Sequence, residues 1–344
     1  TRSHDPVNVE CSRQEVASGG EDAAMTQISR GVAIAGAVVA TVIGAVVPAS
    51  AHAARTSVLP STLVVSAHRG GSAYAPEDTM YAYRNAVRIG ADQMETDSWL
   101  TADGVLVLIH DSTLDRTTSC TGSVSSYTFA RLRKCDAGWW WTPGQSTTSP
   151  DPKAQHPLRG LGIRVPAARE LFGYIKSLGR SDRHTINIEI KDENFVKPTQ
   201  ALVSLIEASG LKNRTIVQSF YPPALDYVKT LDSTISTALL TEGSTSPYLA
   251  YSLAGDHQWI SPGSTDVDLS TTTVSAAHAA GKKVIPWTPD TKSDLTAAGL
   301  KGVDGLITNY PACLLALEGR RPPARLLPAA SIAAGSDPVP LCAA

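Results

Sequence analysis

Short, largely apolar runs that stop abruptly at reactive side chains set the pattern of this chain. Residues 63–67 stop at His68, residues 105–109 stop at His110, and residues 186–191 alternate isoleucine with polar partners until Lys191. Runs of this length bounded by polar or glycine-rich segments read as buried strands. A helix follows at 79–88, with Asp78 or Thr79 as its cap after Pro76, and then a strand at 93–97. From residue 165 strands and helical stretches alternate. Helices are predicted at 167–178, 198–209, 223–231, 272–280 and 293–298, and strands at 185–191, 215–220, 236–240, 257–261, 282–288 and 305–308. Counting His68, Asp97, Glu189, Ser219, Leu240, Ser261, Trp287 and Thr308 as strand ends gives eight. Eight βα units predict an α/β fold, a (β/α)8 TIM barrel with its site at the carboxyl ends of the strands.

Two segments interrupt the rhythm. Between Asp97 and His110 a Thr-Ala-Asp-Gly turn at 101–104 leaves no room for a crossover helix. The arm at 105–110 therefore reads as a β-hairpin insertion after strand two, which brings His110 level with Asp97. Residues 112–165 then form a long loop insertion, expected over the active-site face, with Arg116, a Ser/Thr/Pro-rich patch at 145–156 and three consecutive tryptophans, Trp139 to Trp141. The tryptophans suit either a grip on a substrate's organic group or the insertion's own small core.

Charged residues make up 18% of the 344-residue chain and the net charge is -2, so no basic stripe exists to follow a nucleic-acid backbone. Small anionic substrates remain compatible with that balance. Residues 25–53 read as a signal peptide: Arg30, an uncharged run at 31–47, and small residues before a cleavage point after Ala53. The competing reading is an uncleaved anchor. Residues 1–24, ahead of Met25, are polar and expected to lie outside the fold. The mature domain then spans 54–318, followed by a tail at 319–344. No membrane span is expected in the mature chain, which would be secreted; its oligomeric state is left open. Removal of the leader leaves Cys120, Cys135, Cys313 and Cys342, an even set that suits an oxidising compartment. Of three possible pairings, locality favours Cys120 with Cys135 and Cys313 with Cys342. A zinc site fits poorly, because no C-x-x-C or histidine pair accompanies them.

The motifs His68-Arg69-Gly70, Pro76 to Thr79, Glu95/Asp97, Thr101 to Asp111 and Glu189/Lys191 occur in an order that resembles the glycerophosphodiester phosphodiesterase family. The resemblance extends over about residues 63–311. It implies metal-dependent hydrolysis of small-molecule glycerophosphodiesters to sn-glycerol 3-phosphate and an alcohol. It also implies that Glu77 either supports the site from behind its ligands or binds the substrate's hydroxyls, rather than holding the metal. The family usually carries asparagine where this chain has Asp78 and aspartate where it has Asn309.

The chemistry of the residues agrees with that reading. Glu95, Asp97 and Glu189 at neighbouring strand ends would repel one another. One divalent cation relieves this, and oxygen donors select calcium or magnesium over zinc. The alternative is a salt-bridge network with Lys191 and Arg69, in which two cations face three acids. Arg69 and Lys191 suit phosphate, His68 and His110 suit general acid and base work, and Phe220 and Trp287 suit the alcohol side. Whether water or the substrate's glycerol hydroxyl attacks is open. The competing functions are a phospholipase D-like or phospholipase C-like enzyme acting on lyso- or phosphoinositide lipids, and a non-catalytic phosphoglycerol-binding wall protein.

Overall fold

In the computed structural model, which describes residues 57–144, 150–244, 255–320 and 341–343, the apolar runs become strands in the predicted order. They are β1 (Val64–Ala67), β2 (Gln93–Leu100), β3 (Leu106–Leu108), β4 (Thr185–Ile190), β5 (Thr215–Ser219), β6 (Ser236–Thr241), β7 (Trp259–Pro262), β8 (Lys283–Val284) and β9 (Gly305–Thr308). The expected leader at 25–53, the segment before it and most of the tail lie outside the described residues.

All strands except β3 pair in parallel, in the order β8-β7-β6-β5-β4-β2-β1-β9. The ends of that path meet through a parallel bridge between Trp287 and Ile307. The result is a nearly closed barrel of eight parallel strands. The eighth strand is shorter than the span 282–288 predicts, and proline is the cause. Pro286 has no amide to donate, so the ladder on the β9 side is interrupted there, while the amides of Lys283, Ile285 and Trp287 still donate to the Gln258, Ile260 and Pro262 carbonyls of the β7 side.

Helices Met80–Ile89, Ala168–Ser177, Val196–Ser209, Pro222–Leu231, Thr271–Ala279, Lys292–Gly299 and Pro311–Leu317 intervene. The first is stopped at both ends by local chemistry. The Thr79 hydroxyl accepts the Ala82 amide, and Gly90 takes the left-handed conformation at φ 97°. One face of each strand packs on these helices, with Met94, Ile186, Ile188 and Ile190 against Leu171, Phe172 and Leu202. The barrel interior is filled by a separate layer, Ile216, Ala238, Trp259, Ile285 and Ile307.

Strand β3 runs antiparallel to β2 with Ser98 opposite Leu108, and the Ile109 amide donates to the Asp97 carbonyl. The chain beyond it has its own small core, in which Ile109, Leu114, Val124, Leu132 and Ala137 are buried. Cys120 is bonded to Cys135 and Cys313 to Cys342, with Cα separations of 5.5 Å and 5.0 Å. Of the three tryptophans, Trp141 is buried against Leu158 and donates its indole N–H to the Ser72 carbonyl at 2.9 Å. Trp139 and Trp140 are half-buried under the Arg159 guanidinium. All three do structural work on the insertion, and none lines the pocket described next.

Candidate active site

Side chains two residues apart on a strand share a face, and this places the site above the interior layer. Climbing β5 from the filler Ile216 gives Gln218 and then Phe220; climbing β6 from Ala238 gives Leu240 and then Glu242. On the adjoining strands the same step joins Glu95 to Asp97 and Glu189 to Lys191. Register then brings the strands together, with Asp97 opposite Glu189 and Glu189 opposite Gln218. These residues, with His68, Arg69, His110 and Trp287, line one pocket of about 330 Å³.

At the end of β1 the backbone turns sharply. Arg69, Gly70 and Gly71 all have left-handed φ values, 51°, 82° and 85°. Gly70 is obligatory, because a Cβ there would lie 2.6 Å from that of Ala82. A non-glycine residue held at positive φ is costly and marks a position that its surroundings over-determine. Here the turn sends the Arg69 amide to Glu95 Oε2 at 2.8 Å and its guanidinium between Glu77, at 3.0 Å, and Asp97, at 3.4 Å.

Both histidines are oriented through Nδ1. His68 Nδ1 meets Asn309 Oδ1 at 2.6 Å; that oxygen also accepts from Ser72, while the Asn309 amide nitrogen donates to Asp290 at 2.6 Å. Since the amide oxygen accepts, His68 carries its proton on Nδ1 and leaves Nε2 bare, 4.0 Å from Glu95. Burial and the neighbouring Arg69 push its pKa down to about 3, so the ring is neutral. His110 is held differently. Its Nδ1 pairs with the Asp111 carboxylate at 2.7 Å, and Arg116 clamps Asp111 through Nε at 2.7 Å while binding both oxygens of Glu77 at 2.7 and 2.8 Å. Glu77, with Arg69 on its other side, therefore sits behind the pocket rather than on its wall.

Electrostatics at the carboxylates decide what the site can hold. Although burial opposes it, Lys191, His110 and Arg69 hold Asp97 well below the usual carboxylate range. Burial, resisted by Lys191 and reinforced by Asp97, pushes Glu189 up, and burial with Asp97 and Asp78 does the same to Glu95. Lys191 lies 3.2 Å from Glu189 and 3.5 Å from Asp97. Glu95 has amide donors only, the Arg69 backbone and Gln218 at 2.7 Å. Two cations thus face three acids, and one acid has no cation partner. Among the described residues no three such side chains stand as a ready cage for an ion. The donor set nonetheless fits a hard cation: every donor is oxygen, and burial, reinforced by like-charge repulsion from Asp97, raises two of the three groups. At Asp78, burial with Asp97 and Glu77 pushes the carboxyl well above its usual range, toward the neutral form that asparagine would have there.

Phe220 and Trp287 meet edge to face with centroids 5.6 Å apart on the far side of the pocket. Sequence reasoning missed Asn309, Asp111, Arg116, Gln218 and Glu242 as site residues. Asp111 and Arg116 carried a signal, as the acid beside His110 and the one arginine shortly after it, and Asn309 carried one as the position where the family usually has aspartate.

Arg116 precedes the Cys120–Cys135 bridge by four residues, which links that bridge to the site. C120S/C135S is expected to lose about 3 kcal/mol, as the chain-entropy cost of a loop of this size returns to the unfolded state, and to raise KM. C313S/C342S, which frees only the tail, is expected to lose comparable stability at unchanged KM. Urea unfolding and initial rates check this; unchanged KM in the first variant would detach that bridge from the site.

The sequence matches the glycerophosphoryl diester phosphodiesterase family over residues 68–313. It is 34% identical over 265 residues to a glycerophosphodiester phosphodiesterase of Caldanaerobacter subterraneus, covering 74% of this chain and 97% of that one. With a glycerophosphodiester phosphodiesterase of Bacillus subtilis it shares 27% over 274 residues, 77% of this chain and 90% of the other. Among solved structures, a phosphodiesterase of Oleispira antarctica in complex with the product sn-glycerol-3-phosphate superposes with a TM-score of 0.63 at 25% identity, over 73% of this chain and 95% of that one.

Proposed function

Because this chain belongs to the glycerophosphoryl diester phosphodiesterase family, and is on that ground a phosphoric diester hydrolase, we propose that it splits glycerophosphodiesters into sn-glycerol 3-phosphate and an alcohol with His68 and His110 as the acid–base pair. The observation that carries the roles is the difference in how the two rings are held. His68 is neutral with Nε2 bare, which suits taking the proton of the attacking hydroxyl. His110 is held through Nδ1 by the Asp111 carboxylate, which fixes the orientation of the ring and suits it to hand a proton to the departing alcohol oxygen. One P–O bond forms to the attacking oxygen and one breaks to the alcohol, one proton enters at His68 while another leaves from His110, and one water is consumed overall, either as the attacker or in opening the cyclic phosphate that attack by the glycerol hydroxyl would leave. Arg69 and Lys191 lie where they can complement the phosphoryl oxygens.

Glu95, Asp97 and Glu189 would hold a calcium or magnesium ion, which when bound supplies positive charge to the phosphodiester. We also propose export of the protein; its support is the two disulfides, which persist in oxidising compartments. Action on intact lipids would call for an exposed apolar rim, and the tryptophan run does not supply one.

The reaction is tested by incubating the purified protein with glycerophosphocholine in calcium or magnesium and assaying sn-glycerol 3-phosphate and choline. Equimolar release of both is expected. Phosphocholine and glycerol as products, or no turnover across several head groups, would refute the assignment.

A further inference from the structure

We propose that the half of the pocket opposite the carboxylates is a subsite for a quaternary ammonium head group, so that choline-type diesters are the preferred substrates; this rests on the hydrolase reading given above. Strand order divides the pocket. The three acids and their cations Arg69 and Lys191 stand on β2, β4 and the end of β1, which are neighbours. The remaining wall, from the strands beyond β4, is made among the described residues by Gln218, Phe220, Leu240, Trp287 and Ile307 and by a single charged group, Glu242. Among the described residues no lysine or arginine lines this half.

Three features of that wall point to a bulky cation. Phe220 and Trp287 are only half-buried, so ring surface faces the pocket. Their perpendicular packing presents one ring's face beside the other's edge. The indole is pinned by its N–H to the Ser261 carbonyl at 3.0 Å, so the surface is set before a ligand arrives. Aromatic faces attract cations through the ring quadrupole, and a methylated ammonium offers them apolar contact as well. Glu242 is exposed, and no hydrogen bond or ion pair engages it among the described residues. A free carboxylate lining the same pocket as two aromatic rings favours a positive group and disfavours an anionic one. A polyol head group would find few partners here, since among the described lining residues Gln218 carries the one side-chain amide, and it is engaged by Glu95 and Asn187.

The test compares glycerophosphocholine with the diester of its neutral tert-butyl isostere, which has the same shape without the charge. Wild type is expected to favour the choline diester by about tenfold in kcat/KM, a typical size for a cation held by aromatic rings and a partly exposed carboxylate. In E242Q that ratio is expected to fall about three- to tenfold, and in wild type it is expected to shrink with added salt. A circular dichroism spectrum and melting temperature matching wild type show that E242Q is folded. Equal kcat/KM for the two diesters, or a ratio that E242Q leaves unchanged, overturns the subsite while the hydrolase reading stands. Turnover of neither diester by wild type overturns both.

Discussion

Exhaustive chelation is expected to reduce turnover by at least about 10³-fold, and calcium or magnesium to restore it. Three buried acids already engage the two cations Arg69 and Lys191, which leaves little positive charge for the phosphodiester, and a metal ion is worth several kcal/mol to a phosphoryl centre. The expectation has a second readout that does not depend on activity. An ion that binds only the folded chain raises its melting temperature, to an extent that grows with ion concentration. E189Q, which removes one donor charge, is expected to weaken that shift. Full turnover by protein shown to be metal-free by elemental analysis would leave the salt-bridge network with Arg69 and Lys191 as the complete account of the cluster.

The histidines carry the next largest effect. H68A and H110A are each expected to lower kcat by about 10² to 10⁴ on glycerophosphocholine, the usual contribution of a positioned proton-transfer group. Their roles separate on a second substrate. A diester with a nitrophenol leaving group departs without needing a proton, so H110A is expected to recover most of its rate there and H68A is not. If H110A is impaired equally on both substrates, it is not the proton donor to the leaving group. If either variant keeps near wild-type kcat on the choline diester, that ring is structural.

How much of this was legible in advance follows from the range over which each feature is determined. Strand endings are local: a short apolar run closing on His68 or Glu189 is visible in ten residues, and the period of two puts Glu95 with Asp97 on one face before any partner is known. The hairpin that carries His110 is set by a four-residue turn. These features, repeated eight times, sufficed for the barrel. The short β8 was also written locally, in Pro286, which removes an amide donor from the ladder.

What orients and neutralises these groups was not legible, because it depends on barrel closure. Asn309 reaches His68 across 241 residues of sequence, Gln218 reaches Glu95 across 123, and Arg116 reaches Glu77 across 39. No pattern along the chain encodes such pairs, which come together only when register and the return of β9 to β1 fix the ring of strand ends. Glu77 shows the difference most clearly. Its motif marks it as important, and only the folded chain reveals that two arginines claim its oxygens. The sequence by itself determined which reactive groups stand at strand ends, because alternation and run length are properties of the local chain. The tertiary structure alone decided which of them remain free to act, because burial, charge neighbours and hydrogen-bond partners are properties of the closed barrel.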